Sequence, residues 1–355
     1  MSSFRKATLR DVARHAGVSP TTVSEFLSGQ PNACSAATAT RIRQAVEELH
    51  YAPSALGASL RKARTRTIGV SLLFPRAQRT PRGNYLLRLW SGITEEAVAA
   101  EHSVLFYEDQ IRRDLSNYRV FLDGRVDGVI FHPVMGDLRP VKLAEAGLPV
   151  AVISESPETY PGCITVVSDE DRIVHAVMEH LLAQGHRRIA HLAGPTRGRH
   201  EAGTGIARQR RDLYRAICEE AGIFDPELLF EPTYWSPNTE EEAADWRTAP
   251  ERWRRLASPP TAVFCCTDAI ALRLIEFAAE CGWSVPEELS VVGIDNTLVG
   301  ELQRPALTTV DYPVEEQGRV AIRALLARIS GSPLPSEHLP VDGAELIVRD
   351  TSVRR

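Results

Sequence analysis

The stretch Tyr51-Ala-Pro-Ser-Ala-Leu-Gly-Ala-Ser-Leu-Arg-Lys-Ala-Arg-Thr-Arg-Thr-Ile-Gly-Val70 divides the chain into two unlike parts. Before it lies a short basic segment patterned as small helices. After it, from Thr67, short apolar strands alternate with amphipathic helices. Pro53 and Ser54 form a helix-start signal, and Leu60 stands among Arg61, Lys62, Arg64 and Arg66. A plain linker has no need of one large apolar side chain amid cations. The stretch therefore reads as a joint between a head that meets a polyanion and a body that senses something else.

Charge supports that division. Residues 1–64 carry nine Lys/Arg against four Asp/Glu, a surplus of +5 in a chain whose total is −5. A basic head on an acidic body points to a polyanion as the partner of the head alone. At 355 residues the chain exceeds one ordinary core, and 43% hydrophobic with 25% charged residues suits a globular protein. Its apolar runs fall short of the roughly 20 residues that span a bilayer. The N-terminal residues show no apolar core of a secretion signal, so a cytoplasmic protein without a membrane partner is expected. Cys34, Cys163, Cys218, Cys265, Cys266 and Cys281 lack CxxC spacing and suit reduced, packed thiols. The ten histidines show no metal-ligand spacing, so neither metal nor cofactor is expected.

In the head, Thr8 and Asp11 make a weak capping box, with Asp where Glu is preferred. Leu9, Val12, Ala13 and Ala16 then recur at helical spacing, and Gly17 is placed to end the helix. Ser19-Pro20 restarts a helix that buries Val23 and Phe26 or Leu27. A third helix begins near Ser35, with Ile42, Ala45, Val46 and Leu49 inward. Two short helices around a tight Gly turn form a helix-turn-helix, whose second helix enters the major groove N-terminal end first. The spacing alone also fits a three-helix bundle used for protein contact.

Thr8-Leu-Arg-Asp-Val-Ala, Ala16-Gly-Val-Ser, Thr22-Val-Ser24, Tyr51-Ala-Pro and Leu60 together resemble the head of the lactose-repressor (LacI/GalR) family of transcription regulators. The resemblance implies that Ser19, Thr22 and Ser24 touch phosphates, as small hydroxyl donors can. It places Pro20 and Thr21 at base edges, with Ser28 on the same DNA-facing helix. Glu25 stands where the family usually carries a guanine-reading arginine. Two readings of Glu25 are open: it accepts from cytosine N4, giving an unusual operator, or it points into solvent. Residues 54–60 resemble the family's hinge helix, in which Leu60 from two subunits wedges into the minor groove. Gly57 replaces the usual alanine at a cost of about 1 kcal/mol of helix propensity, which sets the hinge towards release.

The body is expected to be α/β. Strands are predicted at 68–74, 104–107, 128–131, 150–153 and 164–167, and again at 189–193, 261–266 and 289–294. Helices are predicted at 85–100, 117–124, 141–146, 171–184, 208–221 and 269–281. Two such runs imply two doubly wound parallel sheets with a cleft between them. Ligands bind beyond the carboxyl ends of such strands, where Ser168, Asp169, Thr267, Asp268, Asp295 and Asn296 collect. Acids and amides there suit a polar, hydroxyl-rich ligand.

Asp127-Gly-Val-Ile, Gly185-His-Arg-Arg-Ile-Ala, Leu289-Ser-Val-Val-Gly-Ile-Asp295 and Pro305-Ala-Leu-Thr-Thr-Val resemble the same family's effector domain. The implied fold is the two-subdomain, periplasmic-binding-protein-like (type I) arrangement behind an N-terminal all-α head. The resemblance carries effector contacts onto Asp169, Arg210, Trp235, Thr267 and Asp295. A guanidinium donates to hydroxyls, carboxylates accept from them, and an indole stacks on an apolar sugar face. Each has a structural alternative: Asp295 as a turn cap, Arg210 paired to an acid, Trp235 as a packed aromatic. Thr267 replaces the usual asparagine, and 169–172 departs from the usual Asp-Asn pattern.

The implied domains are 1–52 for the head, 53–65 for the hinge and 66–355 for the effector domain. The N-subdomain is expected at about 66–163 and 310–338, the C-subdomain at about 164–309 and 339–355. The chain shows no heptad segment after Arg349, so a homodimer reading a roughly palindromic double-stranded operator is expected. A sugar or sugar derivative is the expected effector, and the regulated genes those of carbohydrate use. Catalytic residues are not expected: Gly203-Thr-Gly205-Ile-Ala-Arg208 lacks the third glycine of a dinucleotide loop, and no phosphate loop or nucleophile elbow occurs. The competing reading, a transport-type solute receptor, shares the body but has no use for the basic head.

Overall fold

The computed structural model describes residues 7–30, 32–52, 64–72, 82–107, 116–133, 137–154, 158–194, 205–233 and 240–354. It divides into two units, residues 1–65 and 66–355. In the first, α1 (Leu9–Ala16) opens on the predicted capping box: Asp11 N donates to Thr8 Oγ1 at 3.3 Å, and Thr8 N donates to Asp11 Oδ2 at 3.0 Å. Gly17 ends the helix at φ 65°, a conformation that favours glycine. Ser19 caps α2 (Pro20–Leu27) by accepting from Thr22 N, and Ser35 caps α3 (Ala36–Glu48). The three helices bury Val12, Ala13, Ala16, Val23, Ile42 and Ala45, with Phe26 and Leu27 half-buried against them.

The second unit begins with β1 (Thr67–Leu72), α4 (Arg82–Ala99), β2 (Ser103–Phe106) and β3 (Gly128–His132). There follow α5 (Arg139–Glu145), β4 (Val150–Ile153), β5 (Ile164–Ser168) and α6 (Glu170–Ala183). Next come β6 (Ile189–Leu192), α7 (Gly205–Glu220), β7 (Leu229–Phe230), α8 (Glu240–Arg254) and β8 (Ala262–Cys265). Then α9 (Asp268–Glu280), β9 (Ser290–Ile294), α10 (Leu298–Leu302) and β10 (Thr308–Asp311) lead to α11 (Val314–Ser330), β11 (His338–Val341) and β12 (Glu345–Ile347). The segment expected as a helix at 117–124 is one turn of 3₁₀ helix, Tyr118–Phe121.

Two six-stranded sheets form, in the orders β11-β5-β4-β3-β1-β2 and β12-β10-β9-β8-β6-β7. Pairing is parallel except between β10 and β12. The inner strands β1, β3, β4, β8 and β9 are almost wholly buried, as parallel strands covered on both faces are. This topology corrects the expected subdomain limits. β5 pairs with β4, Ala151 opposite Ile164, and β11 pairs with β5, so both belong to the first sheet. β10 pairs with β9 and belongs to the second. The chain therefore crosses between subdomains at 168–170, 311–314 and 341–345, a few residues after each expected point. A short buried strand has the same pattern whichever sheet takes it, and only the ladder decides.

After its crossing, α11 returns to the first subdomain and packs on α4. Gly92 and Gly318 let the two backbones meet: a Cβ on Gly318 would lie 2.6 Å from the Leu89 carbonyl oxygen, and one on Gly92 would strike that of Glu315. Sequence patterning passed over α8, whose composition is charged and which holds Pro250 in its interior. It nevertheless supplies Trp246 and Trp253, both fully buried, to the second subdomain's core.

Candidate functional site

Two polar surfaces emerge, one in each unit. On the head, Ser19, Pro20, Thr21 and Ser28 are exposed along α2, and Thr22, Ser24 and Glu25 are half-buried. Ser19 Oγ accepts from Thr22 N at 3.1 Å and lies 2.8 Å from Thr22 Oγ1, so both hydroxyls are fixed at the amino end of α2. That end carries the helix's partial positive charge and suits phosphate. Ser28 Oγ donates to the Glu25 carbonyl at 2.9 Å, while the Glu25 carboxylate makes no ion pair among the described residues. Gly57 and Leu60 lie outside the described residues, as does Trp235.

In the body, Thr267 and Asp295 come just after β8 and β9 of the second sheet, Asp169 follows β5 of the first, and Arg210 lies on α7. Asp295 follows β9 at φ 124° and Asn296 at φ 47°, left-handed conformations that cost about 1–3 kcal/mol each in non-glycine residues and gather at functional sites. Asp295 Oδ1 accepts from Tyr312 Oη at 3.1 Å, and its carbonyl accepts from Arg88 Nη1 at 3.0 Å. Arg88, on α4 of the first subdomain, also donates to Asp311 at 2.9 Å and to both carboxylate oxygens of Glu315, at 2.7 and 2.9 Å. Burial alone would lower the Arg88 pKa. The hydrogen bonds it donates to Glu315 and the charge of Asp311 outweigh burial and hold the guanidinium protonated.

Arg210, on α7, is fully buried and is spoken for. Its Nε donates to Glu170 Oε2 at 2.6 Å and its Nη2 to Glu170 Oε1 at 3.1 Å, while Nη1 donates to the Cys266 carbonyl at 2.6 Å. Both side chains are 2% exposed. Desolvation opposes the charge of Arg210, and Glu170 overcomes it, so the pKa is pushed well above the usual arginine value. This fork-to-fork geometry is the strongest form of the arginine–carboxylate contact.

The remaining wall comes from the first subdomain. Tyr85 Oη lies 3.0 Å from Ser154 Oγ, and the Tyr85 ring sits 5.5 Å from His132 and 6.4 Å from Tyr312. Burial first, and then the charge of Asp295, push the Tyr312 hydroxyl well above its ordinary pKa, so it acts as a donor. Thr267 caps α9 by accepting from Ile270 N at 3.2 Å. Beside it, Asp268 is wholly buried, accepting from Thr297 N and Oγ1 and from Thr309 Oγ1. Burial raises its pKa despite these donors. Its bonds tie the turn after β9 to β10, which is structural work.

The structure thus links Asp295 through Tyr312 to the first subdomain and buries Arg210 against Glu170. Asp169 stands apart. It caps α6 by accepting from Arg172 N at 3.0 Å and lines a groove of about 970 Å³ with Glu170, Asp171, Arg208, Asp212 and His338; its walls include Glu170, the partner of Arg210, but neither Arg210 nor Asp295. Sequence reasoning missed Arg88, Tyr85 and Tyr312. Tyr312 follows directly on β10, a strand outside the predicted set. No helix among the described residues is long and apolar enough to cross a membrane.

Comparison with known proteins places this geometry. Residues 8–54 match the family described as bacterial regulatory proteins, lacI family, and residues 178–352 match the periplasmic binding protein-like domain. The HTH-type transcriptional repressor PurR of Aliivibrio fischeri strain ES114 is 30% identical over 331 residues, covering 91% of this chain and 92% of the relative. The chain belongs to the lacI family. The lacI-family match extends to the HTH-type transcriptional regulator DegA of Bacillus subtilis, 30% identical over 88% of each chain. Among solved structures, the lac repressor dimer bound to operator and the anti-inducer ONPF superposes with a TM-score of 0.81 at 23% identity, covering 98% of this chain and all of that one. A complex of the regulator CelR with cellobiose superposes at 0.69 and 26% identity, covering 97% and 99%. This lacI-family member is a DNA-binding transcriptional repressor, not an enzyme.

Proposed function

We propose that the protein binds a roughly palindromic operator as a homodimer and represses genes of carbohydrate use under the control of a small polar effector, a sugar or sugar derivative, held between its two subdomains. The observation that carries the effector reading is the set of bonds across the crossings. Arg88 of the first subdomain grips Asp295, Asp311 and Glu315, and Tyr312 joins Asp295 to Tyr85. A ligand that enters here must exchange bonds with groups of both subdomains. Its differential affinity for the open and closed arrangements then sets their populations.

Asp295, Arg210 and Thr267 are the proposed effector contacts, with Asp169 at the neighbouring groove, and Trp235 belongs to the same proposal on sequence grounds. On the head, Ser19, Thr22 and Ser24 are proposed for phosphates, Pro20, Thr21 and Glu25 for base edges. Residues 53–65 are proposed as the hinge, with Gly57 and Leu60 at the minor groove. Exposed apolar residues on α4 (Leu87, Val98) and on α10 (Leu298, Val299, Leu302) are candidate dimer contacts. The sugar reading draws on the cellobiose in the CelR complex and on the hydroxyl-binding chemistry of the site.

A genomic binding-site selection with the purified protein, repeated with a panel of sugars, tests this. It is expected to recover an inverted repeat whose retention changes with one sugar class. Retention of no specific DNA would overturn the regulator reading.

A further inference from the structure

We infer that Arg88 is the latch that fixes the angle between the two subdomains and carries the state of the effector site to α4, and so bears on operator affinity. The inference rests on the proposed effector reading and adds the residue that transmits it. A guanidinium has five N–H groups, and Arg88 engages all of them in five bonds to four residues. Nε and Nη2 form a fork on the Glu315 carboxylate at 2.7 and 2.9 Å, and Nη2 also donates to the Tyr312 carbonyl at 3.4 Å. Nη1 donates to Asp311 Oδ1 at 2.9 Å and to the Asp295 carbonyl at 3.0 Å.

Those bonds divide by subdomain. Glu315 lies in the first turn of α11, which meets α4 backbone to backbone at Gly92 and Gly318. One edge of the guanidinium is thereby anchored within the first subdomain, in the fork geometry that holds an arginine most firmly. The other edge reaches the second crossing at Asp311 and the second subdomain at Asp295. The Asp295 carbonyl belongs to a turn whose φ of 124° is rare outside glycine, and such a conformation persists only where surrounding bonds hold it. A change in the angle between the subdomains must therefore stretch or break the Nη1 bonds, and a shift of the Asp295 turn pulls on α4. An effector that takes over either acceptor frees the latch and lets the populations shift.

The three crossings are themselves joined. Ser168, at the first, accepts from Gln317 Nε2 of α11 at 2.6 Å. Pro313, in the second, lies beside Gly343 of the third: a Cβ on Gly343 would stand 3.5 Å from Pro313 Cγ. Releasing Arg88 thus loosens all three and not one bond alone. The exposed face of α4 carries Leu87 and Val98, about three turns apart. These are proposed dimer contacts, so a movement of α4 changes how two copies pair and how they meet an operator.

The test is amide hydrogen exchange of the full-length protein, wild type against Arg88→Met, with Arg88→Lys beside them. In Arg88→Met, exchange is expected to quicken at least about tenfold in peptides spanning 168–173 and 341–345, stretches outside the five Arg88 bonds, as well as in 295–297 and 311–317. The strands β3 and β8 should keep their protection. Arg88→Lys, which keeps the charge but not the fork, should fall between. On an operator recovered by the selection above, Arg88→Met should change affinity at least about fivefold, with binding to unrelated DNA unchanged. Quickening that is absent, or confined to 295–297 and 311–317, would overturn the inference, since a merely local brace gives that pattern. So would wild-type operator affinity in a variant whose crossings have loosened. If Arg88→Met fails to fold, Arg88→Lys decides by the same peptides. If no operator is recovered, the regulator reading falls, while exchange still decides the latch.

Discussion

The head and the cleft handle polar groups in opposite ways. On the head, hydrogen bonds among candidate DNA-facing residues are local: Ser19 meets Thr22 three residues on, and the side chains remain open to water. In the cleft, bonds join residues far apart in the chain, 40 positions for the buried Arg210–Glu170 pair and 227 for the half-buried Arg88–Glu315 pair. A DNA-reading surface can change one residue at a time because each side chain answers mainly to solvent and ligand. A cleft residue also answers to the core, so altering specificity there touches stability. Function on the head is nearly separable from folding, and in the cleft it is not.

The sharpest way to break this comparison is Glu170→Ala. Removing one partner of a buried pair leaves an uncompensated charge, and about 3–5 kcal/mol of stability should be lost. Urea unfolding measures it. A loss below about 1 kcal/mol would mean that water reaches Arg210, and the contrast with the head would collapse.

Next is acid sensitivity. His191 is wholly buried between the rings of Phe264 and Tyr214, with Nδ1 2.9 Å from the Phe264 carbonyl. Burial drives its pKa down to about 3, against the pull of that carbonyl and with the help of the nearby Arg210 charge. A depressed histidine pKa means that the unfolded chain takes up a proton the folded one refuses. His191 therefore has no effect above the unfolded value near 6.5. As pH falls from there towards 3 it removes about 1.4 kcal/mol per unit. Thermal melts of His191→Phe against wild type should diverge through that window in favour of the variant, and parallel pH profiles would refute the assignment.

On the head the effects are smaller. Thr8→Ala removes the capping box and should cost about 1 kcal/mol, read in the melting of the isolated helices' far-ultraviolet signal within the intact protein. Smallest in stability is Glu25→Arg, expected within about 0.5 kcal/mol of wild type, as for other surface changes. It should nevertheless shift the base preference at one operator position towards guanine. An unchanged preference would return Glu25 to solvent.

How far the sequence carried the reading follows the same division. Local rules placed α1 to α3 because caps, Gly17 and helical spacing act within a few residues. They also found most strands and the post-strand positions of Thr267 and Asp295. They failed at α8, where charge and Pro250 masked a helix whose tryptophans are core. They failed too on the crossings, since β5, β10 and β11 could have joined either sheet.

By itself, then, the sequence determined the helix-turn-helix, the alternation of strands and helices, and the segregation of positive charge to the head. These depend on near-neighbour geometry and on composition. Only the tertiary structure decided which sheet each crossing strand joins, that Gly92 and Gly318 bring two helices into contact, and that Glu170 occupies the cleft arginine. Those outcomes depend on desolvation and on partners distant in the chain, which no local pattern encodes.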